Sequence, residues 1–447
     1  MKAHSGEMYA GRELEMFLDE VCGAIRAKEV HADIREELIA HVEELKQVRI
    51  EQGMSEEEAL REAIQAMGDP AAIGSGLDAA HRPKVHWGML AVVGGMIGVG
   101  ILAMMNVQAM LIDRMPDMAF LERKLVFIVM GVLAMAGLWL LDYRWLKRWS
   151  ELLHGGSIAL LLALPYIGLQ LNGRTMYVSI GSIGIDMTTV ALIGMIMGLA
   201  GMKPLREWTP GRGVVLLAYR LFLPMILFVL VPVIVNAVIY ALVFGSQLWL
   251  TRKSKKQLLV VIGACTVPCY AIFSMLLLGP NGEYRLHRLT SFLRLDDPQG
   301  SDFHIVQSLE AIRSAGWFGH GYAAWNNTLP YIYSDSWLPY FIYCFGWLAG
   351  IGFAALTALF IGMIASTAAL VRDPFGKRLA AAICVSLAVQ YVVPFLMALG
   401  WAPYVGISLP IVSYSGMHTV LQLAMVGLLL SAYRRRMIIR TQSEMQE

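Results

Sequence analysis

Ten long apolar runs constrain the fold of this chain more than any other feature of its sequence. Most are long enough to cross about 30 Å of hydrocarbon as a helix. They lie near residues 87–110, 125–141, 152–171, 188–202, 214–232, 234–250, 258–279, 338–370, 380–399 and 414–433. With 57% hydrophobic and only 16% charged residues, the chain is too apolar for an ordinary soluble globule. The sequence therefore predicts an all-α polytopic membrane protein with about ten transmembrane helices, in which Pro224 and Pro232 divide the fifth run from the sixth.

Basic residues orient these spans. Clusters of lysine and arginine occur in alternate connections, at residues 144–148, 203–212, 252–256, 372–378 and 434–436. Loops rich in Lys and Arg stay on the cytoplasmic side. We therefore expect a multi-pass protein of the cytoplasmic (inner or plasma) membrane with both termini in the cytoplasm, and an even number of spans.

The first 80 residues form a separate acidic segment. They hold 18 Asp and Glu against 8 Lys and Arg, which leaves a charge of about −10 here and +12 on the remainder. Three amphipathic patterns predict a small soluble helical hairpin or three-helix unit, and Ser55 with Glu58 forms a capping box before the third helix. The segment, which includes DIREELIAHVEEL, resembles the helical prefix domains found before permease-type membrane domains. A cytoplasmic sensor that binds an unknown partner and a solvated appendage are both open interpretations.

One connection, residues 280–337, is far longer than the others, and the predicted topology places it outside the cell between spans 7 and 8. Loops of this length in a compact protein are usually functional. Its last part, NTLPYIYSDSWLPYF, is crowded with aromatic rings but carries one carboxylate, Asp335. Asp335 is either a functional acid or a cap for the helix that follows, and the rings are also typical of a membrane-surface aromatic belt.

The same loop carries a family pattern. YRLHRLTSFLRLDDPQGSDFHIVQSLEAIRSAGWFGHGY precedes LPYIYSD and FGWLAG, and ISLPIVSYSGMHTVLQLAMVGLLLSAYRR follows near the end. These stretches resemble the SEDS (shape, elongation, division and sporulation) family, the RodA/FtsW-type membrane glycosyltransferases. The resemblance covers most of residues 85–436, with 437–447 as a cytoplasmic tail. It implies polymerisation of peptidoglycan from lipid II during cell-shape, division or sporulation wall synthesis, beside a class B penicillin-binding protein and without nucleic acid.

The resemblance also implies site residues. Asp335 follows Pro330 by the family's spacing and is expected to be the catalytic carboxylate, either as a base or as a ligand of a divalent cation such as Mg²⁺ or Mn²⁺. Substrate-binding roles are expected for Arg285, Arg288, Asp297, Gln307, Ser308 and Arg313. The arginines match the needs of a pyrophosphate leaving group, although solvated loop scaffolding is the alternative. His304 is expected to be a loop residue, and Ser413, Tyr414 and Gly416 to serve backbone geometry.

Several acids of the family pattern are missing. The start of the fourth span has Asp186-Met187-Thr188-Thr189 instead of a Pro-Ser-Glu motif, residues 231–235 lack the family's acid, and Tyr343-Cys344 stands where a Glu pair is usual. Ionisable groups in a membrane are generally kept for function. A non-catalytic scaffold or regulator of envelope synthesis is therefore the alternative to an enzyme, and a lipid-linked precursor flippase using Arg220 and Asn236 is a weaker one.

Overall fold

The structure, a computed structural model, describes residues 2–26, 31–81, 85–112, 119–171, 174–180, 183–231, 233–278, 282–293, 295, 300 and 302–435. Some side chains within these ranges, including that of Arg285, are not described. The chain divides into two compact units, of which the first comprises residues up to Val85 and the second His86–Tyr433.

The first unit contains four helices in its described part. They are α1 (Lys2–Ala24), α2 (His31–Glu51), α3 (Glu56–Met67) and α4 (Pro70–His81). The Ser55 hydroxyl accepts a hydrogen bond from the Glu58 amide at 3.4 Å, as the capping pattern predicts. The expectation of at most three helices was wrong, because Pro70 ends α3 but also begins α4, where its fixed φ suits the first helical position. Apolar residues of α1 and α2, including Leu18, Val21 and Ile34, form the core.

The second unit has a helix at each of the ten predicted spans. They are α5 (Trp87–Leu111), α6 (Phe120–Leu140), α7 (Trp145–Ile167), α8 (Met187–Ala200), α9 to α10 (Pro210–Leu217 and Leu223–Leu230, joined by a π-helical turn Ala218–Phe222), α11 (Ile234–Thr251), α12 (Lys255–Leu278), α15 (Trp337–Leu370), α16 (Pro374–Ala398) and α17 (Met417–Arg434). Among the residues that the structure describes, seven helices are long and apolar enough to cross a membrane by length and composition. The division between Leu230 and Ile234 confirms that the long apolar run holds two spans.

A small antiparallel sheet lies between α7 and α8 and was not predicted. Its strands β1 (Leu169–Leu171), β2 (Arg174–Ile180) and β3 (Ile183–Asp186) pair in the order β1-β2-β3, with Val178 opposite Ile185. The predicted third span ran on to residue 171, but α7 ends at Ile167 and the remaining apolar residues enter the sheet. The sheet matters for the site because β3 ends at Asp186 and so places this residue at the N-terminus of α8.

The described parts of the long loop pack against the N-terminal part of α15. They contain α13 (Gly282–Thr290), a 3-10 turn (Ser291–Leu293) and α14 (Phe303–Ser314). Helix α15 is kinked at Gly346, whose φ of 82° and ψ of 177° are not helical. The carbonyls of Tyr343 and Cys344 accept the amides of His320 and Gly321, both at 3.0 Å. The positions that carry the Glu pair in the family thus supply main-chain acceptors that fix the loop.

Candidate active site

A large cavity opens between the loop and the membrane helices. Its volume is about 1340 Å³, and the polar or charged side chains on its wall include Arg123, Asp186, Asn236, Arg288, His304, Asp335, Gln390, Tyr404 and His418. These residues come from widely separated parts of the sequence, so the cavity exists only in the folded chain. Much of the remaining wall is apolar and includes Val126, Leu192, Val229 and Ile239. The combination suits an amphiphilic ligand with an apolar chain and a polar head.

Asp335 lies on the cavity wall, half-buried, just before α15. The Tyr404 hydroxyl donates a hydrogen bond to its Oδ2 at 3.4 Å. Burial raises the pKa of Asp335 above its ordinary value, while the Tyr404 hydrogen bond and the charge of Arg288 oppose that rise. The capping alternative gains no support, because the N-cap position of α15 belongs to Ser336 and no side-chain cap bond is made there. A carboxylate with a raised pKa in a cavity is a candidate base.

His304 is closer to the site than its loop position suggested. Its ring stacks on Tyr404 with the ring centres 4.2 Å apart, and on Tyr331 at 6.0 Å. Burial and the charge of Arg288 lower the pKa of His304, which keeps its imidazole neutral near pH 7. The aromatic residues beside Asp335 therefore build one wall of the cavity, and a membrane-surface belt does not account for all of them.

Asp186 is a second carboxylate on the cavity wall, but its oxygens are occupied. They accept hydrogen bonds from the hydroxyls of Thr188 and Thr189, both at 2.7 Å, and from the Thr188 amide at 2.9 Å. Asp186 thus caps α8 and holds its first turn. The Asn236 amide donates to the Thr188 hydroxyl at 3.2 Å, so Asn236 also belongs to this structural group. Asp335 is therefore the better candidate for accepting a proton from substrate.

A neutral polar cluster joins α16 and α17 at the cavity. His418 Nε2 lies 3.0 Å from Gln390 Oε1 and 2.9 Å from Gln422 Nε2. Gln390 is buried and also donates to Ser386 Oγ at 2.9 Å. The sequence reasoning missed this cluster. The available signal was a set of polar residues, His418, Gln422 and Gln390, inside two otherwise apolar spans, where polar groups are costly.

Arg123 and Lys124 were missed for a similar reason. Both lie one turn into α6, and Arg123 lines the cavity whereas Lys124 is completely buried. Two adjacent basic residues in the second span were the signal. Arg123 adds a second cation to the cavity wall that Arg288 shares.

The other predicted substrate-binding residues have different positions. Asp297 and the side chain of Arg285 lie outside the described residues. Gln307, Ser308 and Arg313 are on α14; Ser308 is buried and donates to the His304 carbonyl at 2.7 Å. Arg313 lines a smaller pocket of about 490 Å³ with Leu295 and Glu310. The structure thus brings Arg288 to Asp335 but gives these α14 residues no place on the wall of the large cavity.

Fold and site together define a multi-pass helical membrane protein with a polar site that opens to apolar walls. A family model described as "Cell cycle protein", for FtsW, RodA and SpoVE, matches residues 86–437. The chain belongs to this family, which confirms the resemblance seen in the loop and the last span.

Individual relatives agree with that assignment. The chain is 26% identical over 329 residues to "Probable peptidoglycan glycosyltransferase FtsW" of Geobacter sp. (strain M18), a match covering 71% of this chain and 87% of the relative. It is 26% identical over 358 residues to "Stage V sporulation protein E" of Bacillus subtilis (strain 168), covering 76% and 94%. A solved structure described as "Structural coordination of polymerization and crosslinking by a peptidoglycan synthase complex" has a similar fold, with a TM-score of 0.64, 23% identity, and coverage of 79% of this chain and 98% of that one.

Proposed function

We propose that this protein is a peptidoglycan glycosyltransferase that polymerises lipid II at the outer face of the cytoplasmic membrane. The observation that carries the proposal is Asp335, a partly buried carboxylate with a raised pKa that shares a cavity of about 1340 Å³ with Arg288 and Arg123. Membership of the family and the names of its relatives support the same activity.

The reaction has three physical requirements, and the cavity offers a residue for each. A sugar hydroxyl must lose a proton as it attacks the anomeric carbon of the growing strand, and Asp335 is the base. The departing undecaprenyl pyrophosphate gains charge, and the guanidinium groups of Arg288 and Arg123 stabilise it. The lipid chains need an apolar surface, which Val229 and Val233 help to provide, and Val233 stands where the family resemblance implies an acid.

Asp335 is the residue that would hold a divalent cation, together with the pyrophosphate of the substrate. Among the described residues, no group of three or more His, Cys, Asp and Glu side chains is placed to hold a metal. Mg²⁺ is commonly bound by one or two carboxylates together with substrate phosphates. Asp335 would supply the single carboxylate, and the cation would neutralise the pyrophosphate. The proton transfer assigned to Asp335 does not depend on it.

The topology and partners belong to the same proposal. The alternating basic loops support a topology with both termini in the cytoplasm and the Asp335 cavity outside, where lipid-linked precursors are polymerised. A class B penicillin-binding protein is the proposed partner, supported by the similar fold within a complex that couples polymerization and crosslinking. The acidic N-terminal unit is proposed to bind a separate cytoplasmic partner.

The decisive experiment measures glycan polymer from lipid II by the purified full chain, with and without the transpeptidase and with Mg²⁺ or EDTA. Asp335→Ala should abolish polymer. Glu283→Ala, an exposed carboxylate of the same loop, is the matched control and should retain it. Polymer from Asp335→Ala equal to wild type would refute the role of Asp335.

A second pair of variants tests the binding residues. Arg288→Ala should lower kcat/KM by about tenfold, the effect of losing roughly 1.4 kcal/mol of charge-assisted hydrogen bonding. Arg313→Ala should change kcat/KM little, because Arg313 lines the other pocket. The reverse ranking would restore the sequence-based assignment of Arg313.

The non-catalytic alternative makes a different prediction. A scaffold would give no polymer with any partner, yet would still bind a transpeptidase. The family acids that this chain lacks are the reason to test this alternative. Absence of polymer together with retained partner binding would therefore establish the scaffold in place of the enzyme.

A further inference from the structure

Lys124 is a fully buried lysine whose side-chain nitrogen has three hydrogen-bond acceptors. Its Nζ lies 2.5 Å from the Ile411 carbonyl, 2.6 Å from the Ser413 carbonyl and 3.3 Å from Thr419 Oγ1. Its side chain is 0% exposed. In the part of the chain that the structure describes, no carboxylate is within ion-pair distance of it. Burying an ionisable side chain inside a membrane protein without a carboxylate partner is costly, so such a residue is expected to have a specific role.

Two of the acceptors, the Ile411 and Ser413 carbonyls, belong to one tight turn, Leu409–Gly416, which we call the 409–416 turn, whereas Thr419 is on α17. Ile411 has a φ of +64°, a left-handed conformation that is strained for a β-branched residue. Strain of this kind persists only where surrounding contacts hold it. The Tyr391 hydroxyl donates to the Pro410 carbonyl at 2.9 Å from one side, and Lys124 holds Ile411 and Ser413 from the other.

The turn connects directly to the segment that carries Asp335. The Tyr414 amide donates to the Tyr333 carbonyl at 2.8 Å, and Tyr333 precedes Asp335 by two residues. Phe120, one turn before Lys124 on α6, stacks on Tyr333 with the ring centres 5.1 Å apart and meets the edge of Tyr414 at 5.3 Å. The start of α6 therefore contacts both the 409–416 turn and the Tyr333 segment that leads to Asp335.

We propose that Lys124 is a positioning residue. Its side-chain nitrogen fixes the 409–416 turn, and this turn fixes Tyr333 and the Asp335 carboxylate. The inference rests on the proposed glycosyl transfer for its kinetic consequence. Lys124 is not part of the cavity wall. It therefore acts on the base and not on the substrate, so its loss should lower kcat and leave KM nearly unchanged.

The test uses the full chain in nanodiscs and compares wild type with Lys124→Met. The control is Lys147→Met, which removes an exposed lysine at the start of α7. Amide hydrogen exchange is followed in peptides covering 409–416 and 331–337, and kcat and KM are measured with lipid II. For Lys124→Met we expect faster exchange in both peptides and a fall in kcat of about tenfold to a hundredfold, with KM within about threefold of wild type.

The exchange measurement separates this inference from the proposed function, because it needs no activity. If wild type makes no polymer, the proposed function fails, and faster exchange in both peptides still supports the positioning role. Unchanged exchange in either peptide would overturn it. A raised KM at constant kcat would also overturn it, since that pattern would mean direct substrate contact. If Lys124→Met fails to fold, the same exchange and kinetic measurements are made on Thr419→Val, which removes one of the three acceptors. For this variant we expect faster exchange in both peptides and a drop in kcat of severalfold.

Discussion

The hydrogen bond from Tyr404 to Asp335 gives the sharpest prediction about the chemistry. Tyr404→Phe removes one hydroxyl while keeping the ring that stacks on His304 at 4.2 Å. Burial and the neighbouring Asp335 charge raise the pKa of Tyr404 above its ordinary value, so its hydroxyl remains a donor across the working pH range. The donor favours the ionised form of Asp335. Its removal should raise the pKa of Asp335 further.

The size of the effect follows from the length of the bond. Hydrogen bonds to charged groups contribute about 1.5–3 kcal/mol, but at 3.4 Å this bond is at the long end of the range. About 0.7–1.4 kcal/mol is then a reasonable contribution, which corresponds to about 0.5–1 pH unit. A base works only when ionised, so activity should be lost at a higher pH than in wild type.

The assay is the pH profile of kcat for lipid II polymerisation. The acidic limb of the Tyr404→Phe profile should move to higher pH by about 0.5–1 unit. Tyr331→Phe is the matched control, because the Tyr331 ring also stacks on His304. Loss of the Tyr331 hydroxyl should leave the acidic limb in place. An unmoved limb for Tyr404→Phe, or a shift to lower pH, would refute the assignment of Asp335 as a base tuned by Tyr404.

Three further predictions concern stability and modularity. Burial raises the folded-state pKa of Asp335, so the stability of the protein falls as pH rises through that pKa. Asp335→Asn should therefore raise the melting temperature at pH 7.5 by roughly 2 °C while abolishing polymerisation. An unchanged or lower melting temperature would contradict the burial argument. In a thermal unfolding assay, Gly346→Ala should destabilise the protein by about 2 kcal/mol or more, because φ at Gly346 is 82° and a β-carbon would overlap the Trp317 carbonyl. The control, Gly352→Ala, should be neutral in the same assay, because a β-carbon there meets nothing within 4 Å. Deletion of residues 1–80 should leave membrane insertion intact in a fractionation experiment, and loss of insertion would show that this segment is not a separate module.

The membrane spans were predictable because each one is a single run of consecutive apolar residues. Apolar length alone located all ten helices, and two prolines marked the division that the structure places between Leu230 and Ile234. The fourth helix of the N-terminal unit was harder, since Pro70 signals both an end and a start. The sheet at residues 169–186 was missed because an apolar strand continues the composition of the helix before it.

The site was predictable only where a local motif carried it. Asp335 and Arg288 were found through spacing in the loop, and both line the cavity. Lys124 could not be connected to its acceptors, because Ile411 lies 287 residues further along the chain. The same is true of Gln390 and His418, whose contact depends on how α16 and α17 pack.

The positions at which the family's acids are missing bear on what their loss means for catalysis. Tyr343 and Cys344, where the family has a Glu pair, lend their carbonyls to the loop that leads to Asp335, and this contact needs no carboxylate. Val233 and Val235 make the cavity wall apolar at the other altered motif, which suits a lipid chain better than an acid would. The loss at Val233 thus falls where an apolar side chain has another use, whereas the contacts of Tyr343 and Cys344 are main-chain bonds that any residue could make. These losses remove charge from the surroundings of Asp335 without removing Asp335, Arg288 or Tyr404, so the losses alone do not argue against catalysis.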